Sequence, residues 1–335
     1  GYALKCITDW TNGRMQRVVL NCVNSAWSEV LSSVVQGSVL GPVLFIIFIN
    51  DIDLALTDPK TKIYKYADDS KFGRQICSPA DAIALQTQID NIWKWSEHWG
   101  MDIHPLKTYV LHFGHGNQRY DYYINGSKIS ETNAARDLDI IIDDSCSPSQ
   151  HVNVITKKAN GVLSQLGRTL LNRNKHVIVN LYKVFVRPIL ESAVSAWSPW
   201  ERKDIDSIER VQRKATRMVP GIGRKSYEER LKICGLTTLE QRRQRGDVIE
   251  VYKMMNGFTN LNTESLFCFT SQRHDVPTRS ATNKCLVSEK CRLDVRKYFF
   301  PNRVVQHWNN LPLNVREAES FNSFKILHDE FTYMY

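Results

Sequence analysis

Near residue 150 the spacing of apolar residues settles into a helical rhythm, which limits the chain to a mixed α+β half followed by an α-helical half. In the first half, residues 14–23 (RMQRVVLNCV) have the β-branched richness of a strand. Gly37, Gly41 and Pro42 mark a loop, and Pro42 is placed to start a helix through Val43–Asp51. Two short strands, Lys62–Tyr66 and Ser70–Arg74, are expected around Ala67-Asp68-Asp69. The segment 79–98 reads as a helix with Ile83, Ile89, Ile92 and Trp93 on one buried side. Tyr109–Phe113 and Tyr122–Ile124 are strand-like, and Asn125-Gly126 is a hairpin turn leading to Lys128-Ile129. Beyond residue 150, helices are expected near 151–172, 175–196, 203–219, 226–233 and 237–256. Residues 259–295 are irregular, and 297–332 read as short helices separated at Leu311-Pro312, with Tyr298-Phe299-Phe300 filling a small core.

Charge divides along the same line. Residues 1–150 carry 13 Lys and Arg against 17 Asp and Glu, a net of −4; residues 151–335 carry 31 against 18, a net of +13. An acidic half followed by a basic half suits metal-dependent chemistry beside a surface that grips a polyanion. No apolar run reaches the roughly 18 residues of a membrane span. The eight cysteines are scattered and read as reduced thiols of an intracellular protein. Cys268, His274, Cys285 and Cys291 lack the close pairing of a zinc site. Gly1 is not a methionine, and the chain is read as a piece of a longer one.

The first candidate for chemistry is Tyr66-Ala67-Asp68-Asp69. Two adjacent carboxylates at a strand-turn-strand can be aimed at one spot, where they could hold Mg²⁺, a hard cation that prefers oxygen; the bland alternative is a solvated turn. Upstream, small residues at Gly37, Ser38 and Gly41 let a backbone approach a flat partner closely. Downstream, Lys107 in Trp99-Gly100-Met101-Asp102-Ile103-His104-Pro105-Leu106-Lys107-Thr108 supplies a cation that could neutralise or protonate a leaving pyrophosphate. Farther on, Arg210, Arg213, Lys214 and Arg217 are spaced to share one helical face, which is either solvated or a phosphate-tracking surface. Trp93, Trp95 and Trp99 read as core and boundary aromatics, and His104 as structural.

In their order, these motifs resemble the reverse transcriptases of non-LTR (LINE-type) retrotransposons, particularly jockey-like lineages. The resemblance rests on Gly13-Arg14-Met15-Gln16-Arg17-Val18, Val35-Gln36-Gly37-Ser38-Val39-Leu40-Gly41-Pro42, Ile49-Asn50-Asp51, Tyr66-Ala67-Asp68-Asp69, Trp99-Gly100-Met101 and Lys107-Thr108. It continues through Arg187-Pro188-Ile189-Leu190-Glu191, Trp197-Ser198-Pro199, Tyr227-Glu228-Glu229-Arg230-Leu231 and Leu239-Glu240-Gln241-Arg242-Arg243. Arg303, Trp308-Asn309, Leu311-Pro312 and Phe324-Lys325 resemble the family's C-terminal signature.

The resemblance implies an α+β fold. A partial polymerase palm with an antiparallel sheet and flanking helices is expected at 1–145, a helical thumb at 146–258 and a C-terminal region at 259–335. It implies RNA-templated DNA synthesis through a two-metal Mg²⁺ site, acting on an RNA template, an RNA–DNA duplex and deoxynucleotides. Asp68 carries over as a metal-binding aspartate with Asp69 beside it, and Lys107 as general acid or pyrophosphate partner. Gln36, Gly37 and Ser38 carry over to the loop against template and incoming nucleotide, and the Arg210, Arg213, Lys214, Arg217 face to the duplex backbone. In the family pattern the first catalytic aspartate precedes the Gly-Arg-x-Gln strand, so it and the fingers are expected upstream of Gly1. This chain alone is therefore expected to be inactive. Val35 stands where the family has Pro, Ser33 where it has Gly, His104 where it has Asn and Asp139 where it has Gly. These departures fit a decaying copy or a gene-model fragment. The alternative reading is a non-catalytic nucleic-acid-binding remnant. A carboxylate-dependent nuclease would leave the Gln36-Gly37-Ser38 loop unexplained.

Overall fold

The structure, a computed structural model, describes residues 1–31, 34, 35, 37–114, 116–170, 174–270 and 284–333. It divides into two compact units, Gly1–Thr132 and Asn133–Tyr335.

The first unit starts with α1 (Tyr2–Thr11) and the short strands β1 (Met15–Gln16), β2 (Val19–Leu20), β3 (Val23–Asn24) and β4 (Ser28–Glu29). The single strand expected at 14–23 is thus two pieces of a hairpin. Asn21 and Cys22 both take positive φ (47° and 65°) and turn the chain between β2 and β3. The register then slips between the β2–β3 and β1–β4 ladders, as one extra residue on the returning strand requires. α2 (Leu40–Ile49) begins before Pro42, which falls in its first turn, where a missing N–H costs no helical bond. A hairpin of β5 (Lys62–Tyr66) and β6 (Asp69–Gly73) precedes α3 (Pro79–Trp99).

Helix α3 is the spine of this unit. Ser78 and Asp81 close a reciprocal capping box at its start, Pro79 occupies the first turn, and Gly100 ends it at φ 63°. Its buried stripe is Ala82, Ile89, Ile92 and Ser96; Ile83, expected inside, is 68 % exposed because it lies one residue off that stripe. Trp93 packs on the core, and Trp95 donates its indole N–H to Asp51 at 3.1 Å. The remaining strands are β7 (Tyr109–Leu111), β8 (Tyr123–Ile124), β9 (Ser127–Lys128) and β10 (Ser130–Thr132). Asn125 and Gly126 form the expected turn, both with positive φ. Antiparallel pairing is found as expected, but among the described residues in separate two-stranded ladders rather than one sheet, and β7–β10 is parallel. Strands of two to five residues leave too few backbone groups for a wide sheet, and α3 supplies a floor for β6, β7 and β8 through Phe72, Val110 and Ile124.

The second unit opens with β11 (Ala134–Asp137) and β12 (Ile140–Asp143). Expected with the first half up to residue 145, this hairpin groups with the helices because Ile140 packs into their core. Its turn residues Leu138 and Asp139 have φ of 46° and 70°. The glycine usual at Asp139 is thereby explained, since an aspartate tolerates this conformation better than most side chains do.

α4 (Ser149–Thr169) and α5 (Lys175–Leu181) follow, and one helix expected at 175–196 is instead several. Pro188, which has no N–H to give, follows a π-turn at 182–186 and starts α6 (Arg187–Glu191); Ala193 (φ 51°) then breaks the path before α7 (Val194–Trp197). α8 (Arg202–Arg217), α9 (Tyr227–Cys234) and α10 (Leu239–Met255) complete the helical layer, the last two opened by capping boxes. α11 (Thr263–Leu266), α12 (Asp294–Lys297), α13 (Phe300–Asn309), α14 (Leu313–Arg316) and α15 (Phe321–Tyr333) do not close a core of their own. Trp308, Phe324, Val304 and Phe300 pack with Val248, Val251 and Tyr252 of α10. Of the run Tyr298-Phe299-Phe300, only Phe300 is buried. No described helix is long and apolar enough to cross a membrane.

One buried histidine makes this unit sensitive to pH. His151 Nδ1 accepts the Ile141 N–H at 3.2 Å while the ring meets Trp197 edge-on, 4.7 Å between centroids. Burial holds its pKa below the usual 6.5. A histidine with a depressed folded-state pKa stabilises fully above its unfolded value and loses that stability as pH falls below it. The urea midpoint should therefore fall between pH 7.5 and 5.5, about one unit either side of that value. His151→Gln, which keeps an acceptor but does not titrate, should flatten part of the fall; an unchanged pH profile would remove His151 as a cause. His112 and His328 are depressed by burial too, so the difference between the proteins is the informative quantity.

Candidate active site and nucleic-acid interface

The β5–β6 hairpin places Asp68 at its tip. Tyr66 pairs with Asp69, leaving Ala67 and Asp68 as the turn, with Ala67 at φ 51°. A side-chain-bearing residue held in that region costs of order 1 kcal/mol, and such strain often marks a functional turn. Ile63 and Phe72, paired across the ladder, pack on the core with Ile49, Ile52 and Ile92. Lys65, on the same face as Ile63, bridges to Asp53 at 2.9 Å and donates to the Asn50 carbonyl at 3.0 Å. The base of the hairpin is thus fixed while Asp68 and Asp69 stay exposed. Among the described residues no group of three or more metal-binding side chains assembles, so the two aspartates recruit no third ligand.

Lys107 ends a tight turn at Pro105–Lys107 and is exposed. Ile103 and Val110, on either side of it, pack on the same cluster as Phe72. The hairpin and the lysine segment therefore share one floor on α3. Gly37 is at φ 80° with open space where a side chain would project. Ser38 turns inward: its hydroxyl donates to the Val35 carbonyl at 2.6 Å and accepts the Gly41 N–H at 3.0 Å, tying down the start of α2. At Gly41 there is no room for an outside partner, since a Cβ would come within 2.8 Å of Ser38 Oγ. Gln36 and Ser33 lie outside the described residues, as does His274 of the cysteine-rich stretch.

On α8, Arg210, Lys214 and Arg217 are exposed. Arg213 is not fully part of that stripe: half-buried, its guanidinium covers the Tyr227 ring at 5.0 Å, and its Nε is buried without a partner. The opposite face carries a polar network invisible in the sequence. Gln212, fully buried, accepts from the Tyr182 hydroxyl at 2.8 Å and donates to the Thr237 carbonyl at 3.0 Å and the Tyr227 oxygen at 2.9 Å. Tyr227 in turn donates to Glu209, which accepts the Leu239 N–H at 3.0 Å at the start of α10. A carboxylate there is favoured by the free N–H groups of the helix. This network fixes the angle at which α8 presents its cations.

The family described as reverse transcriptase (RNA-dependent DNA polymerase) matches residues 3–154. Over these residues the chain is similar to reverse transcriptases. The matched segment contains the Asp68–Asp69 hairpin, Lys107 and the Gly37–Ser38 loop, whereas α8 lies beyond it. The chain is 27 % identical over 225 residues to the RNA-directed DNA polymerase from mobile element jockey of Drosophila funebris, covering 64 % of this chain and 25 % of that protein. Its Drosophila melanogaster counterpart is 25 % identical over 62 % of this chain and 24 % of its own length. A probable RNA-directed DNA polymerase from transposon X-element of Drosophila melanogaster is 25 % identical over 64 % of this chain and 24 % of its own. The similarity is thus to reverse transcriptases of non-LTR retrotransposons, and the chain spans about a quarter of the length of these curated relatives. No solved structure matches it.

Proposed function

We propose that this chain is the later palm and the helical thumb of an RNA-directed DNA polymerase from a non-LTR retrotransposon. The observation that carries the reading is the hairpin that holds Asp68 and Asp69 exposed on a strained turn, inside a segment of reverse transcriptase sequence. Adjacent carboxylates fit part of a Mg²⁺ site, because the ion takes oxygen ligands and keeps several waters. When bound, paired ions stabilise the attacking and leaving oxygens of nucleotidyl transfer. In this reading Asp68 holds metal, Asp69 supports it, and Lys107 neutralises or protonates the departing pyrophosphate. Gly37 lets template and nucleotide approach the backbone, with Gln36 beside it, and Ser38 positions that loop through α2. Primer extension on an RNA template, with and without Mg²⁺, tests the catalytic part.

The exposed face of Arg210, Lys214 and Arg217, with Arg213 at its edge, is read as tracking the phosphates of the template–primer duplex. Each phosphate that is no longer neutralised should reduce the slope of log K against log salt by roughly 0.9. A salt titration on an RNA–DNA hybrid should therefore give a slope shallower by about 2 to 3 when the four are changed to Gln. Sequence preference should not change, because phosphate contacts carry no base information. Equal slopes would return the face to solvent. Circular dichroism guards against unfolding, and Gln has a helix propensity near that of Arg and Lys. A shallower slope together with no extension in any polypeptide would favour the non-catalytic binding remnant.

A further inference from the structure

The C-terminal region carries an aromatic and cationic patch that the polymerase reading does not use. Trp200 and Tyr298 stack with ring planes 3° apart and centroids separated by 5.8 Å. Beside them Phe299 is 45 % exposed, at the position that opens α13. Cations cover these rings: Lys297 Nζ lies 5.0 Å from the Tyr298 ring and the Arg296 guanidinium 5.9 Å from that of Phe299. Residues 284–303 hold six Lys and Arg against two acids, Glu289 and Asp294. Arg303 is turned inward to Asp247 and Arg296 pairs with Glu289, while Lys297 and Arg292 are exposed.

A large exposed ring at the mouth of a cationic surface has a cost in water that a flat, anionic partner would remove. We propose that this patch binds an unpaired strand of nucleic acid, with bases stacking on Phe299 and on the Tyr298–Trp200 pair and phosphates meeting Arg292, Arg296 and Lys297. The strand must be unpaired, because in a duplex the base faces are already covered by one another and only edges and phosphates remain. Stacking makes no use of base identity, so the patch takes strands of many sequences. The proposal is independent of the polymerase reading: it holds equally in a chain that catalyses nothing.

The test uses the whole chain and labelled oligo-dT and oligo-rU of about 12 nucleotides, within the usual size of strand-binding sites. Binding of either that depends on Phe299 supports the proposal, and the preferred one identifies the strand type; binding of neither overturns it. Phe299→Leu keeps an apolar side chain but removes the ring, and should weaken strand binding by at least roughly fivefold, the lower end for a stacked base. Phe299→Trp should restore it, and duplex binding should be the same in all three proteins. Wild-type strand affinity in Phe299→Leu would overturn the proposal. So would an equal loss in Phe299→Trp, which would point to a disturbed backbone rather than a missing ring. Polyglutamate displacing the strand as well as unlabelled oligo-dT would also overturn it, by reducing the patch to charge.

Discussion

Purified as these 335 residues, the protein should make no Mg²⁺-dependent cDNA on a primed RNA template. Asp68 and Asp69 come from one turn, and no third metal-binding side chain joins them among the described residues. Two ions need ligands from more than one element, so on the proposed reading this turn would supply only part of the site. In a longer polypeptide that includes the remaining palm and extends primers, Asp68→Ala should lower kcat about 10³-fold. That corresponds to about 4 kcal/mol, in the range expected for losing a metal's charge stabilisation. Template–primer affinity should hardly change, because the proposed duplex contacts lie on another element. Robust synthesis by the 335-residue chain that Asp68→Ala abolishes would mean the site is complete here. Synthesis that survives Asp68→Ala would mean the chemistry belongs to other residues.

The second large effect is structural. Arg303 forms a two-pronged pair with Asp247 at 2.8 and 2.9 Å and donates to the Ser195 carbonyl at 2.7 Å, on the short helix α7. Both partners are largely removed from water, at 14 % and 5 % exposure. Burial raises the Asp247 pKa even against the neighbouring guanidinium, which shows how much the carboxylate depends on that partner. Arg303→Ala should cost about 3 to 5 kcal/mol, mostly the penalty of an abandoned buried charge. Arg303→Met combined with Asp247→Leu should cost less than Arg303→Ala alone, because no charge is then stranded. Urea denaturation of the three proteins decides it. A loss under about 1 kcal/mol for Arg303→Ala would place the pair among those that stabilise little.

The parts legible in the sequence were those whose causes are local. Asn125-Gly126 dictated its hairpin, the apolar spacing over 79–98 announced α3, and the strands on either side of Ala67-Asp68 formed as spaced. What was missed depends on partners distant in the chain. Arg303 appeared only as a member of a motif, and its role required Asp247, 56 residues away. Arg213 has the spacing of a surface cation, but Tyr227 draws it inward. Ile83 obeyed a helical pattern by type yet missed the buried stripe by one position. The break in the strand at 14–23 follows from paired positive φ at Asn21 and Cys22, and no glycine announced it.

The stacking of Tyr252 on Phe324, 4.1 Å between ring centroids, also bears on how such a gene fails. Tyr252 donates to the Ala318 carbonyl at 2.7 Å, and Phe324 is fully buried. Removing a ring like Phe324 costs about 3 to 5 kcal/mol, a large share of a typical domain's stability. A ribosome must therefore translate past residue 324 before α10 finds its last neighbour. A premature stop codon or frameshift shortly before residue 324, far along the sequence from Asp68 and Asp69, would yield a polypeptide that proteases clear rather than a truncated protein that persists.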